Sequence, residues 1–333
     1  MKTLLFVLIW SMMLTIGIDS KPVPTIIDTD IGSDYDDQMA LTYVLANPTI
    51  FDLKLVVVST GNTTQRGQIA AKTLSIFGRF DVPVALGLTR AGGMPEYQWA
   101  QNYTLDQFQK DGGKVYENGE EALFNEMQKA NPDNIYNVIE IAPETSLGHV
   151  ISRLDPEILK SIRLFVMAGS FHSSREYNII QNIPAAQTVF NSSWAYFSLP
   201  PLDTTVYMQF FGAEWQTFLS FTNKSKHVEL IIDSYTAWYN NGGKHYGAIK
   251  PFSPQIGTST MYDVLAAFSA AIHPSFSSMV VEDVPLIVTN DGITAINATL
   301  GKSVNASTKF STSDPYTSTE VIGMIVLNSI ISS

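Results

Sequence analysis

The chain has 333 residues, a formal net charge of −11 at pH 7, 45% hydrophobic residues and only 15% charged ones. That is enough apolar material for one large core, and the acidic balance without any Lys or Arg block excludes nucleic acid as a partner, since such a surface repels phosphate backbones. Cysteine is absent, which rules out disulfides and thiolate chemistry.

In chain order, Lys2 precedes an apolar run from Leu4 to about Ile16, and small residues follow at Gly17 and Ser20. The run is short for a membrane span and has the layout of a secretory signal peptide. Residues 1–20 are therefore expected to be a leader, 21–333 the mature domain, and the protein secreted. Sequons at Asn102, Asn191, Asn223, Asn297 and Asn305 fit a secreted glycoprotein. No later segment is long and apolar enough to span a membrane.

Short runs rich in β-branched residues then read as buried strands: PTIID (24–28), LKLVVVST (53–60), VPVALG (82–87), NVIEIA (137–142), IRLFVMAG (162–169) and TTVYMQ (204–209). Helical patterns lie between several of them: DDQMALTYVLA, RGQIAAKTLSIFGRF, SLGHVISRL and PAAQTVFNSSW. From about 228 to 272 the pattern is more helical and carries the aromatic, Gly-rich stretch YTAWYNNGGKHYGAIKPF. This alternation predicts an α/β fold: a single domain with a mostly parallel central sheet flanked by helices, a Rossmann-type core. Ligands of such sheets bind beyond the carboxyl ends of the strands. DTDIGSDYDD, STGN, IAPETS and MAGSF each follow a strand directly, so they are expected to converge at one edge.

The stretch DTDIGSDYDD holds Asp28, Asp30, Asp34, Asp36 and Asp37. A hard-cation site, a phosphoryl-transfer nucleophile and a solvated turn are the candidate readings. The solvated turn is weakened by Ile31, Tyr35 and the helix-like QMALTYVLA that follows at once. Asp36 and Asp37 also suit the positive end of that helix. An EF-hand is excluded, because Gly32, Ser33 and Met39 stand where a ligand, a glycine and a glutamate are required.

DTDIGSDYDDQMAL resembles the N-terminal signature DxDxGxDDAxAL of the inosine/uridine-preferring nucleoside hydrolases, with two additional residues. Further segments resemble that family in order: VVVSTGN, IAPETSLGHVI (against GPLTNLAxAL), FVMAGSF, EYNIIQNIPAAQTVF, PLDTT as a further strand, and MYDVLAAFSA. The likeness extends from about residue 24 to 290, and it displaces the phosphoaspartate reading.

The resemblance implies hydrolysis of ribonucleosides to base and ribose with a bound Ca²⁺. Carried over, the metal ligands are Asp30, Asp37, the backbone carbonyl of Ile141, and Asp263. Asp30 would be the general base, and Asp36, Asn62, Glu176 and Asn178 would hold ribose hydroxyls. A glycan on Asn62 would block the pocket, so its sequon is expected to be unused. Asp28 would support the loop from behind and Asp34 would lie in the insertion, although a forward count from Asp30 gives Asp34 the ribose role instead. Small ribonucleosides are the implied partners, and a homo-oligomer the implied assembly.

The sequence departs from the family at the leaving-group acid. Close members carry His before the late aspartate, where this chain has Tyr262, a phenol poorly matched to acid catalysis at neutral pH. Tyr262 itself, His172 in GSFHSSREYN, or His245 with Tyr246 are the candidate donors. Tyr235, Trp238, Tyr239 and Tyr246 either stack on a nucleobase or pack a helix on the core, and Gly242 and Gly243 would permit a lid to move. A second reading is a non-catalytic nucleoside- or sugar-binding homologue that keeps the metal groove. The missing His, Ala142 and Glu144 in the IAPETS turn, and NIP in place of DPE favour it.

Overall fold

In the computed structural model, residues 21–89, 94–172, 175–272 and 279–333 are described. The expected leader lies outside them. Strand β1 (Val23–Thr29) is buried along most of its length, and its neighbours Ile26 and Ile27 enter cores on opposite faces of the sheet. Two-sided burial explains why the strands read as continuous apolar runs rather than alternating ones.

The sheet continues with β2 (Phe51–Val58), β3 (Val84–Leu86), β4 (Val115–Tyr116), β5 (Tyr136–Glu140), β6 (Ile162–Val166), β7 (Tyr196–Leu199), β8 (Met279–Val288), β9 (Thr294–Ile296) and β10 (Lys302–Phe310). Their order is β4-β3-β2-β1-β5-β6-β7-β10-β8-β9. The pairs from β4 to β7 are parallel, as is β7 with β10, whereas β8 pairs antiparallel with both β10 and β9. Strand β1 has β2 on one side and β5 on the other. The order therefore reverses between β1 and β5, the point where open α/β sheets bind ligands.

One face is covered by α1 (Asp36–Ala46), α2 (Thr63–Phe77), α3 (Lys226–Asn240), α4 (Val264–Ala271) and α5 (Pro315–Ser332). Helix α1 coincides with the predicted DDQMALTYVLA. Helix α2 starts at Asn62, whose side chain accepts from Gln65 N at 3.1 Å, and ends at Gly78 in the left-handed region (φ 72°). An acceptor at the N-cap and a left-handed glycine at the C-terminus are the expected start and stop signals. No described helix is long and apolar enough to cross a membrane.

Two expectations are corrected. TTVYMQ is not a strand: Leu202–Thr205 is a short helical turn, and the sheet strand is the preceding YFSL of β7. β-branched Thr204, Thr205 and Val206 gave the strand signal. In the fold Asp203 serves a loop instead, accepting from Phe171 N at 2.8 Å. The PLDTT segment is thus a strand exit. The antiparallel β8–β9–β10 edge is an addition to the predicted parallel sheet.

Candidate active site

The acidic loop must turn sharply off β1, and Gly32 does so at φ 106°, where a Cβ would also meet Ile69 Cδ1 at 2.6 Å. The two additional residues are pinned from α3. Tyr35 is fully buried, its hydroxyl donating to Ile231 O at 2.9 Å, and its ring lies 4.8 Å from Tyr235 and 5.9 Å from Trp238. Trp238 Nε1 donates to Ser33 O at 2.9 Å. Such aromatic pairs add about 0.5–1.5 kcal/mol each beyond burial. Tyr235 and Trp238 therefore pack the core and anchor the loop rather than stack on a base. Gly243 answers to the same cluster: a Cβ there would lie 2.2 Å from the Trp238 ring, so close approach rather than hinge freedom requires glycine.

A cavity of about 550 Å³ opens at the β1/β5 switch point. Asp30, Asp34, Asp36 and Asp263 form its acidic side, and Ile141, Glu176 and Asn178 line it as well. Tyr246 and Tyr262 are also in the lining. The sequence motifs do converge at one sheet edge.

Asp37 is fully buried just outside that lining. Its Oδ1 accepts from Thr29 Oγ1 at 2.5 Å and from Asp30 N at 3.1 Å. Asp36 Oδ2 accepts from Asp263 N at 3.3 Å, tying the first loop to the start of α4. Asp36 Oδ1 and Asp37 Oδ2 are buried without a hydrogen-bond partner. Asp34, Asp36 and Asp37 each offer an oxygen within 4.8 Å of the others. Orphaned carboxylate oxygens in an all-oxygen donor set suit a hard cation. Asp34, in the insertion, thus folds back into the cluster.

Burial, then the charges of neighbouring aspartates, pushes Asp36, Asp37 and Asp263 well above the usual carboxylate range. Burial lifts Asp30 to about 6 although the Arg66 guanidinium pulls it down. Arg66 was not anticipated from the sequence. It is buried at the start of α2 and donates to four groups: Thr60 O (2.9 Å), Ile31 O (2.7 Å), Ser33 Oγ (3.0 Å) and Asp30 Oδ2 (3.4 Å). It staples the loop after β1 to the turn after β2, where Thr60 itself holds φ 60°, strained for a β-branched residue.

Glu176 accepts from Asn178 N (2.9 Å), Gly169 N (3.1 Å) and Ile179 N (3.2 Å), and Asn178 Nδ2 donates to Met167 O (3.0 Å). Burial raises Glu176 and those backbone donors lower it. The Gly169–Ser170 turn is fixed by Thr294 of β9, which bonds Ser170 N at 2.9 Å and Ser170 O at 2.7 Å. The antiparallel edge thereby supports the site.

The remaining candidates are placed differently. Asn62 caps α2, is half-buried and lies outside the cavity lining, directly after its members Thr60 and Gly61. His172 pairs with Asp203, its side chain 85% exposed, and it does not line the cavity. His245 is exposed and outside the lining too. Of the proposed donors only the two phenols face the cavity. Burial raises Tyr262 above the ordinary phenol value and pushes Tyr246 up to about 12, so both stay protonated and act as hydrogen-bond donors at neutral pH.

A second acidic group lies sealed in the fold. Asp28 and Glu140 are register partners on β1 and β5, and Glu144 follows in the next turn. All three are fully buried; Asp28 accepts from Ser59 Oγ at 2.5 Å, while both oxygens of each glutamate have no hydrogen-bond partner. Burial pushes Asp28 and Glu144 up to about 8 and Glu140 well above its usual range.

No curated protein sequence matches the chain. Among solved structures it is similar to an inosine-guanosine nucleoside hydrolase (IG-NH), with a TM-score of 0.69 and 17% identity over 93% of this chain and 98% of that one. A plant nucleoside hydrolase, PpNRh1, gives a TM-score of 0.72 and 17% identity over 94% and 100%. An inosine-uridine preferring nucleoside hydrolase from Bacillus anthracis gives 0.64 and 15% over 92% and 100%. At such identities these likenesses establish the fold. The sequence profile of the inosine-uridine preferring nucleoside hydrolases matches residues 25–322, and the chain belongs to that family.

Proposed function

We propose that the protein hydrolyses the N-glycosidic bond of ribonucleosides to free base and ribose, with Ca²⁺ at the acidic cluster. One observation carries this reading: a single cavity at the switch point gathers Asp30, Asp36, Asp263, Glu176 and Asn178. Asp30, Asp37, Asp263 and the Ile141 carbonyl would hold the metal, with Asp34 near enough to Asp37 to join it. Bound there, Ca²⁺ would orient and acidify a water and grip the ribose diol.

Asp30, placed beside the water, would take its proton as general base. The water oxygen bonds to C1′, the C1′–N bond breaks, and its electron pair leaves with the base. Acidic surroundings favour the oxocarbenium-like charge that develops on the sugar. Asp36, Glu176 and Asn178 hold ribose hydroxyls, and Tyr262 and Tyr246 donate hydrogen bonds to the departing base.

Ribose release from inosine, uridine, adenosine and guanosine, with and without chelator, tests the reading. Chelation should abolish release and Asp30→Ala should remove it; equal background rates for both proteins on every nucleoside would sink the hydrolase. Calcium should be found by elemental analysis of the purified protein. The two high-lying phenols in place of a histidine favour the second reading, a nucleoside-binding homologue, which predicts saturable binding without turnover. We also propose that the mature protein starts near residue 21 and is secreted, which N-terminal sequencing of medium-borne protein would check.

A further inference from the structure

The cavity contains two guanidinium groups with opposite situations. Arg66 is buried and saturated by four acceptors. Arg175 also lines the cavity, yet it is exposed and has no hydrogen bond or ion pair among the described residues. Its neighbour Glu176 cannot neutralise it, because that carboxylate is turned onto the Gly169, Asn178 and Ile179 amides. The acid whose charge it feels, Asp291, is exposed and takes the Thr289 hydroxyl at 2.5 Å. A second exposed cation, Lys244, lies on an adjoining groove that shares Tyr246 with the cavity.

The distribution is polar: Asp30, Asp34, Asp36 and Asp263 on one side, and unpaired cations at the rim beside the amide-bound Glu176. A neutral nucleoside offers Arg175 hydroxyl and base acceptors but no counter-charge. In a β-ribonucleoside the 2′,3′-diol lies on one face of the furanose, while the base and C5′ rise from the other. Resting on the proposed function, the diol sits on the acidic side, so base and C5′ both point toward the rim. The base is the flat, weakly polar substituent and suits Tyr246 and Tyr262. The 5′ end is left for Arg175.

We propose that the cavity accepts ribosides bearing a 5′-phosphate, and that Arg175 is the residue that selects them. Its planar fork matches a phosphate through paired charge-assisted hydrogen bonds. Nucleoside 5′-monophosphates are then substrates of the same reaction: water adds at C1′, the base leaves with the bonding pair, and ribose 5-phosphate is released with its ester intact.

The experiment measures kcat/KM for inosine and inosine 5′-monophosphate, and calorimetric binding of ribose, ribose 5-phosphate and inorganic phosphate, in the calcium-loaded full chain. Wild type, Arg175→Ala and Arg175→Lys are compared. Ribose 5-phosphate should bind more tightly than ribose, and Arg175→Ala should lower the monophosphate-to-inosine ratio about tenfold to a hundredfold. Arg175→Lys should retain part of that ratio. Inosine turnover with no preference for ribose 5-phosphate over ribose overturns the proposal and leaves the hydrolase standing. Inert inosine with Arg175-dependent ribose 5-phosphate binding does the reverse. Inorganic phosphate binding as well as ribose 5-phosphate, or an unchanged ratio in Arg175→Ala, also overturns it.

Discussion

Two acidic groups meet in sequence at the end of β1, Asp28 in one and Asp30 in the other, and behave differently. Asp30, Asp36 and Asp263 face the cavity, with Asp37 just behind, and they are met by a guanidinium, by backbone donors and by one another's oxygens. Asp28, Glu140 and Glu144 are sealed, and among the described residues they meet little but Ser59 and apolar side chains. Burial raises both groups, but only the first has room and donor geometry for a cation. A buried carboxyl without a partner takes up a proton instead. The first group is thus built to be charged by a ligand, and the second to stay neutral.

The sharpest way to break this contrast is to neutralise one member of the cavity group. Asp30→Asn should lower nucleoside hydrolysis about 10²- to 10⁴-fold, the usual range for losing a general base. Steady-state kinetics on inosine would show it as a fall in kcat. A loss under tenfold would move the base role elsewhere.

Next in size is the staple. Arg66→Ala strips a donor from Thr60 O, Ile31 O, Ser33 Oγ and Asp30 Oδ2 together. Breaking a buried, hydrogen-bonded ion pair costs about 3–5 kcal/mol, to be read from urea unfolding. Arg66→Lys should recover little of it, since an ammonium cannot span the same four acceptors.

The two groups also separate by pH. A carboxyl whose value is raised in the folded state stabilises below its unfolded value and loses that stability as pH rises through the folded one. For Asp28 and Glu144 that window runs from their ordinary values of 3.8 and 4.5 up to about 8. Unfolding free energy should therefore fall with rising pH across it, by roughly 1.4 kcal/mol per unit for each carboxyl that stays protonated only when folded. Saturating Ca²⁺ ionises the cavity group and should remove its share of the slope. The sealed share should persist with Ca²⁺ and shrink in Glu140→Gln with Glu144→Gln, leaving the part that belongs to Asp28. A wild-type slope that Ca²⁺ abolishes entirely would erase the distinction.

The legible parts of the molecule were those where one local signal decides. Helix α1, the strands β1, β2 and β5, and the convergence of their polar exits followed from apolar runs and breakers. Asp30, Asp36, Glu176 and Asn178 came with motifs that follow strands, and Asp263 with a family-like segment at the start of α4. Arg66 was missed because its partners come from two separate turns, and nothing in RGQIAAKTL marks the arginine as inward-facing. Tyr235 and Trp238 were ambiguous for a like reason: their partner Tyr35 lies some 200 positions away. TTVYMQ failed because β-branching alone cannot tell a strand from the turn that leaves it. Glu140 was visible as a charge inside the apolar run NVIEIA, and only the sheet register shows that it faces Asp28.

The smallest expected effect lies at Asn62, where a side chain already satisfied within the fold meets the cavity edge. Its Oδ1 caps α2 by accepting from Gln65 N at 3.1 Å, which leaves the Nδ2 protons for a ribose hydroxyl. Cap and hook are therefore separable by substitution. Asn62→Ser keeps a capping oxygen on a shorter side chain, so its melting temperature should stay at the wild-type value while KM for inosine rises about two- to tenfold, one neutral hydrogen bond. Asn62→Ala loses both and should add about 1 kcal/mol of instability to the same KM change. If Asn62→Ser leaves KM untouched, Asn62 belongs wholly to the fold, and the ribose is held from the Asp36, Glu176 and Asn178 side alone.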